Sequence, residues 1–469
     1  MKQFVAAATL VLVEEGRLSL TEDIHTYVPE LPDYGHPITL DHLMTHTSGI
    51  RDWTGLRPLT GRRVDALSLT LRQRGLNFVP GEEWSYSNSG YVLLKEIVAR
   101  TSGVSFSHFT RMRLFDPLGM KATSYVTDVR DVVRNRALAY EKGGDAWKLN
   151  VHFDNNERGG GGALFSTVSD LLIWNDALAN GRLSAFVAGK LQEPARLNNG
   201  RTLGYGRGLF LDTNRGGRVL WHSGGSAGYG TFLVRFPEQG LSVATMCNAG
   251  ETATGGAYAR RIFDLFVPAT TAAAEEGRAP AADSSGANVP GVDLERKAGL
   301  FFSEATGQPL RLGVADGRLR IAGGPPLIPM SGERFRNARG ALSFMSQDEF
   351  ELHFVTPDVV ALTSLEGKTT RFRRARPYAP TADDLRAFAG RYANDGNRAV
   401  FEVAPGRGGL TVHISWNNAQ ALELQPVDRD TFQLGGMTLR FVREQAGQVM
   451  SLDYSNPVVR DIKFTRTTS

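Results

Sequence analysis

Three short elements carry groups able to move protons or contact a carbonyl: Lys2 in KQF, Tyr86 to Asn88 in YSN after PGEEW, and His222 to Gly225 in HSGG. Amine, phenol and imidazole are common partners in acid–base chemistry. Taken singly, each reads as ordinary: a helix-end lysine, a turn tyrosine, a strand histidine. Other patterns match known sites only by their letters. HLMTH, His42 to His46, spaces two histidines as a zinc helix does, but the glutamate of HExxH is absent and Thr-Ser-Gly follows at once, so a structural turn is expected. GGSAG, Gly224 to Gly228, matches GxSxG, yet a nucleophile elbow must pass from strand to helix and Ser226 leads into strand-like YGTFLVRFP. The Gly159 to Gly162 run lacks the Lys-Ser/Thr ending of a phosphate loop and reads as the approach to a helix.

The elements that must position these groups are legible in outline. MKQFVAAATLVLVEEG has the apolar profile of a short secretory signal, but Val13 runs into Glu14, Glu15, Gly16 and Arg17 with no small-residue cleavage site. A buried helix is expected instead, favoured by Ala6 to Ala8 and capped at its C-terminal end by Gly16. NSGYVLLKEIVARTSG and STVSDLLIWNDALANG read as further helices, the second with Thr167 and Asp170 as a capping pair. RVLWHSGG, GTFLVRFP and LSVATMCN read as strands, and helices followed by an antiparallel strand set make an α+β domain.

After Phe266 the composition changes. Pro268 to Gly291 is rich in Ala, Pro, Gly and Ser, the character of an interdomain linker. Beyond it, LERKAGLFF (Leu294 to Phe302) aligns with LRAFAGRYA (Leu385 to Ala393) at an offset of 91, and each half ends on an arginine-flanked strand, TTRFRRAR or DIKFTRT. Short alternating segments with Asp-Gly or Gly-Gly turns between those marks predict two small antiparallel β-barrels, divided near ARPYAPTADD.

Composition excludes several classes. With 469 residues, 41% hydrophobic and 22% charged, the chain should form two or three domains with large cores. It has no apolar run of about 18 residues, so no membrane span is expected. A net charge of +4 is small for this length, and the cluster Arg371, Arg373, Arg374 and Arg376 reads as a solvated strand end rather than a nucleic-acid surface. The single cysteine, Cys247, rules out an internal disulfide and a cysteine-based zinc site.

Taken in order, the three elements resemble the serine hydrolases of the penicillin-recognising fold, particularly the class C β-lactamase-like branch with its D-aminopeptidases and family VIII-type esterases. The resemblance runs through residues 1–267. It is carried by LVEEGRLSLTEDIHTYVPELP, ITLDHLMTHTSGI, FVPGEEWSYSNSGYVLL, GGGGALFSTVSDLLIW and WHSGGSAGYGTFLVRFPEQ. With two appended β-repeats, the chain is most similar to the D-aminopeptidase arrangement. That implies a β-lactamase-like domain over 1–267, with an antiparallel sheet flanked by helices, a linker over 268–292, and barrels over 293–376 and 383–469.

The resemblance also implies roles. The family's nucleophile lies in Ser-x-x-Lys at the start of a buried helix. Lys2 takes the lysine position, which sets the serine two residues before Met1. A helix and two strands normally precede that serine, so the chain is expected to be N-terminally truncated, its sheet lacking the first strands. Tyr86 would take or relay the serine proton, with Lys2 keeping the phenol acidic. Asn88 would bind the substrate amide or hold Lys2. Ser223, Gly224 and Gly225 would form the substrate-binding strand end, with the Gly225 N–H as an oxyanion donor. His222 stands where most β-lactamases carry lysine, and a mostly neutral imidazole favours ester, amide or small D-amino acid peptide substrates over β-lactams.

Neither metal nor cofactor is implied, and neither nucleic acid nor membrane is expected as a partner. Assembly stays open, with a homodimer among the options, as does the choice between cytoplasm and periplasm. The alternative is an inactive homologue that binds ligands or partners.

Overall fold

The computed structural model describes residues 1–60, 64–126, 128, 131–143, 146–150, 163–214, 217–249, 252–267, 293–303, 309–321, 326–337, 350–364, 369–376, 378–416, 421–445 and 447–467. The linker expected at 268–292 and the Gly159 to Gly162 run lie outside them. Two compact units form: Met1–Trp53 with Arg62–Arg278, and Thr54–Gly61 with Ala279–Ser469.

In the first unit the opening stretch forms helix α1, Lys2–Glu14, and Gly16 follows at φ +70°, the left-handed conformation that ends helices. Phe4 to Ala8 are all buried, as suits a helix apolar on every side. Its neighbours include helix α3, Asn88–Ser102, and helix α5, Ala185–Gln192, while the shorter α2 spans Leu40–Met44. Helix α4, Val168–Asn180, sends the Trp174 indole N–H to Gln3 Oε1 at 2.7 Å, and Phe4 packs on the same indole. The Thr167 hydroxyl caps α4 by accepting the Asp170 N–H at 3.2 Å, as expected. Asp170 does not reciprocate. Its carboxylate instead accepts the Ala122 N–H and the Thr123 hydroxyl, tying α4 to a neighbouring loop.

An antiparallel sheet follows, with strands β1 (Phe210–Asn214), β2 (Gly217–Ser226), β3 (Tyr229–Phe236) and β4 (Leu241–Cys247) in sequential order. Stacked rings of Phe210, Trp221 and Phe232 run across it. Helix α6, Thr252–Phe266, covers β3 and β4 through Phe263 on Phe236. Strand β2 turns into β3 at Ala227 (φ +49°) and Gly228 (φ +82°), a pair with the positive φ values that tight hairpins need. Ser226 therefore sits in a strand-to-strand hairpin, not at an elbow.

The second unit holds two eight-stranded antiparallel sheets. One runs from Gly299–Ser303 to Thr369–Arg374 and is nearly closed, with an isolated bridge from Arg320 to Pro326. The other, from Gly390–Asn394 to Val459–Thr467, is a closed barrel. The expected repeat is visible in atomic detail. Each barrel begins with a short helix, Leu294–Lys297 or Ala382–Phe388, then a glycine at φ +146° (Gly299) or +150° (Gly390). An arginine from the last strand, Arg374 or Arg466, fills the space beside that glycine and donates to the carbonyl before it, Ala298 or Ala389. One of the four clustered arginines, Arg374, is thus a structural strut rather than a solvated strand end. Thr54–Gly61 also belongs to this unit, with no boundary signal in the sequence to mark it: the Trp416 indole donates to the Pro58 carbonyl at 2.8 Å and the Asn456 amide to the Gly55 carbonyl at 2.7 Å.

Candidate active site

Lys2 opens helix α1 and is 3% exposed. Backbone covers its main chain. Gly208, at φ +81°, presses on the first turn so closely that a Cβ there would lie 2.8 Å from the Lys2 carbonyl carbon. The loop is pinned by Arg207, whose buried guanidinium pairs with Asp41 at 2.7 Å and donates to the Lys190 carbonyl at 2.9 Å. Lys2 Nζ donates to Asn88 Oδ1 at 2.7 Å and lies 4.5 Å from the Tyr91 ring centroid and 5.2 Å from that of Tyr86.

Asn88 is the first residue of α3, after the N-cap Ser87. Asp52 holds it twice, accepting from its backbone N–H at 2.5 Å and from its Nδ2 at 3.0 Å. The amide is thereby oriented with its oxygen toward the lysine. Burial pushes the Lys2 amine down to about 7, and the Asp52 carboxylate opposes that only in part.

Tyr86 is set by two adjacent loops. Gly49 (φ +72°) lies against the Phe78 backbone, Asn77 N–H donates to the Gly49 carbonyl at 2.7 Å, and Gly81 N–H donates to the Thr47 carbonyl at 2.8 Å. Between them His46 takes φ +62°, unusual outside glycine. Its carbonyl accepts the Ser85 N–H at 3.0 Å and its Nδ1 accepts the Ser87 N–H at 3.1 Å, so the His46 and Tyr86 rings meet at 4.3 Å. His42 faces elsewhere, accepting the Thr39 N–H in the cap of α2. The two histidines of HLMTH share no site.

Contrary to expectation, the phenol of Tyr86 is not acidic. Burial, reinforced by Tyr91 and by the Asp52 carboxylate, pushes Tyr86 well above the ordinary tyrosine value. Desolvation outweighs the lysine because Lys2 is itself buried and near neutrality. At rest Tyr86 is a protonated phenol.

His222 stands on β2, its ring 6.2 Å from Tyr86. Its Nδ1 donates to the Ser223 carbonyl at 2.6 Å, and Tyr205 Oη lies 3.4 Å from its Nε2. Burial, with repulsion from the Met1 terminal amine and to a smaller extent from Lys2, pushes the imidazole down to about 3, so it is neutral at pH 7. Beyond it Gly224 faces Thr231 and Gly225 faces Gly230 across the ladder, and the buried Ser223 Oγ has no hydrogen-bond partner among the described residues.

The structure thus gathers Lys2, Tyr86, Asn88 and His222 in one cluster. It adds Asp52, Tyr91 and Tyr205, which sequence reasoning did not single out, and His46, which it weighed only as half of a zinc pair and read as a structural turn. Their signals were present: HTSG and GYGRG are glycine-bearing loops with an aromatic or imidazole inside. Among the described residues no group of three metal-ligating side chains converges, and no helix is long and apolar enough to cross a membrane.

The family model described as Beta-lactamase matches residues 1–265. The chain is 30% identical over 282 residues to penicillin-binding protein 4* of Bacillus subtilis, covering 53% of this chain and 59% of that protein, so it spans less than two thirds of that relative's length. It is 23% identical over 483 residues to the D-aminopeptidase of Brucella canis, covering 99% and 88%. In fold alone it is similar to the octameric penicillin-binding protein homologue from Pyrococcus abyssi, with TM-score 0.50 and 21% identity over 79% of this chain and 86% of that one. The chain belongs to the beta-lactamase family of penicillin-binding-protein-like serine hydrolases.

Proposed function

We propose that this chain carries the acid–base part of an acyl-transfer site that hydrolyses ester, amide or small D-amino acid peptide substrates, the attacking hydroxyl standing one helical turn ahead of Lys2. The observation that carries the proposal is the Lys2 Nζ to Asn88 Oδ1 contact at 2.7 Å beside Tyr86, with the amine at about 7. An amine poised there is a competent base near neutral pH.

Ser-x-x-Lys spacing puts hydroxyl and amine on one face of the helix. As the serine oxygen bonds to the substrate carbonyl carbon, its proton passes to the Lys2 amine. Collapse of the adduct breaks the bond to the leaving amine or alcohol, which takes a proton from the Tyr86 hydroxyl, and the Lys2 ammonium restores the phenol. Water then repeats the sequence on the acyl ester and frees the acid. The Gly225 N–H would receive the developing oxyanion. A neutral His222 offers no charge to a substrate carboxylate, which favours esters and amides over penicillins. Similarity to a D-aminopeptidase across almost the whole chain supports the D-amino acid series.

The test compares this 469-residue chain with a version extended at its N-terminus to carry serine two positions before Met1. Substrates are p-nitrophenyl acetate, D-alanine p-nitroanilide and penicillin G. Turnover of the first two by the extended chain, lost in its Lys2→Met variant, is expected. Turnover by the 469-residue chain that disappears on Ser226→Ala would overturn the placement of the nucleophile, and a strong preference for penicillin would overturn the substrate class.

A further inference from the structure

The hydrogen bonds around His222 continue beyond it. His46 Nε2 lies 3.1 Å from Tyr205 Oη, which in turn lies 3.4 Å from His222 Nε2, and all three side chains are buried. Each end of this row terminates on a backbone group with a fixed role. At one end the Ser87 N–H can only donate, so His46 Nδ1 must accept and a neutral His46 carries its proton on Nε2. At the other the Ser223 carbonyl can only accept, so His222 Nδ1 carries the proton and Nε2 keeps its lone pair. Both ends converge on one phenol. Tyr205 Oη can accept from His46 and donate to His222, which no apolar or donor-only side chain could do; the Tyr91 hydroxyl, which gives its own proton to the Met44 carbonyl, is the competing acceptor for the single Tyr205 proton.

We propose that His46 and Tyr205 are positioning residues that lock His222 as the neutral Nδ1–H tautomer, so that His222 shapes the substrate site without donating or accepting the catalytic proton. Proton traffic then belongs to Lys2 and Tyr86. The function assigned to the lock rests on the acyl-transfer proposal, but the lock itself does not. The phenol is braced by packing, its ring 4.9 Å from His46 and 4.8 Å from Phe210. Its loop is the one whose Gly208 abuts Lys2 and whose Arg207 anchors on Asp41. A single loop therefore orients both the amine and the imidazole.

The experiment needs no catalysis, so a silent enzyme leaves it intact. The 469-residue chain is labelled with ring-15N histidine, and long-range proton–nitrogen spectra are recorded at pH 7. His222 is assigned by its loss in His222→Gln. The wild-type spectrum should show His222 with a protonated Nδ1 and a hydrogen-bonded, unprotonated Nε2, and His46 with the opposite tautomer. Tyr205→Phe, checked for native circular dichroism, should shift His222 Nε2 toward the position of a free, unprotonated ring nitrogen, leaving Nδ1 protonated. His222 found as the Nε2–H tautomer or as a cation would overturn the proposal in the wild-type protein alone. An unchanged His222 Nε2 in folded Tyr205→Phe would overturn the part assigned to the phenol. In the extended, active chain, His222→Gln should retain the pH–rate midpoint of the parent, whereas a shifted or vanished midpoint would return His222 to proton transfer.

Discussion

Lys2 and Asn88 are joined by a 2.7 Å hydrogen bond across 86 residues of chain, and Asp52 fixes the asparagine through two further bonds. The amine is thus aimed by an amide that cannot turn, because its own donor is already committed. Asn88→Ala in the extended chain should lower kcat by about tenfold to a hundredfold, the scale expected of a misplaced catalytic group, with a smaller effect on KM. Steady-state kinetics on p-nitrophenyl acetate check this, and Asn88→Asp, which retains an acceptor for Lys2, should keep more activity than the alanine.

The Lys2 amine also sets a pH dependence. With its folded value at about 7, acylation in the extended chain should rise through that pH and level off above it. Stability has its own sign. Between about 7 and 10.5 the unfolded chain holds a proton that the folded one has released, so stability rises with pH across that window and the penalty is fully present below it. Lys2→Met should therefore abolish turnover while stabilising the fold at pH 6 by on the order of 1–3 kcal/mol, read from urea midpoints.

Acid should act through the buried histidines. Burial holds His46 well below its ordinary value of 6.5 and His222 at about 3. Below pH 6.5 the unfolded chain takes up protons that the folded chain refuses, so the stability present above that pH is lost as pH falls toward 3. At pH 5.5 the buried, neutral His222 costs on the order of 1 kcal/mol relative to a group that does not titrate. Replacing His222 by Gln should remove about that much of the difference between urea-derived stabilities at pH 7.5 and 5.5.

Glycine at two positions separates backbone strain from steric contact. Gly16 and Gly208 share a left-handed φ, +70° and +81°, but a Cβ on Gly16 meets nothing within 4 Å whereas one on Gly208 meets the Lys2 backbone. Gly16→Ala should cost about 1 kcal/mol, the ordinary penalty for that conformation. Gly208→Ala should cost roughly 1–3 kcal/mol more through overpacking, and should lower kcat as Lys2 is displaced. Thermal melts and kinetics on the same two variants distinguish these contributions.

The parts legible in the sequence are those governed by local rules. α1 followed from its unbroken apolar run and Gly16, the barrels from alternation and turns, and their kinship from a repeated Ala-Gly step that the structure explains by Arg374 and Arg466. Lys2, Tyr86, Asn88 and His222 were found through resemblance in motif order. The acidity of Tyr86 was misjudged, since sequence shows neither how far a phenol is desolvated nor that the nearby cation is near neutrality. The roles of His46 and Tyr205 escaped for a related reason. The two side chains are 159 residues apart, and the positive φ at His46, the Gly208 contact and the Arg207–Asp41 pair help bring their loops to one point.

The central claim is tested most directly by trapping the acyl-enzyme. The extended chain with serine two positions before Met1 is mixed with a slowly turned-over ester, quenched, and analysed by intact and peptide mass spectrometry. One acyl group on that serine is predicted, with none in its Lys2→Met variant and none on the 469-residue chain. Acylation of Ser226 or any other residue within the 469, or undiminished labelling in Lys2→Met, would contradict the account.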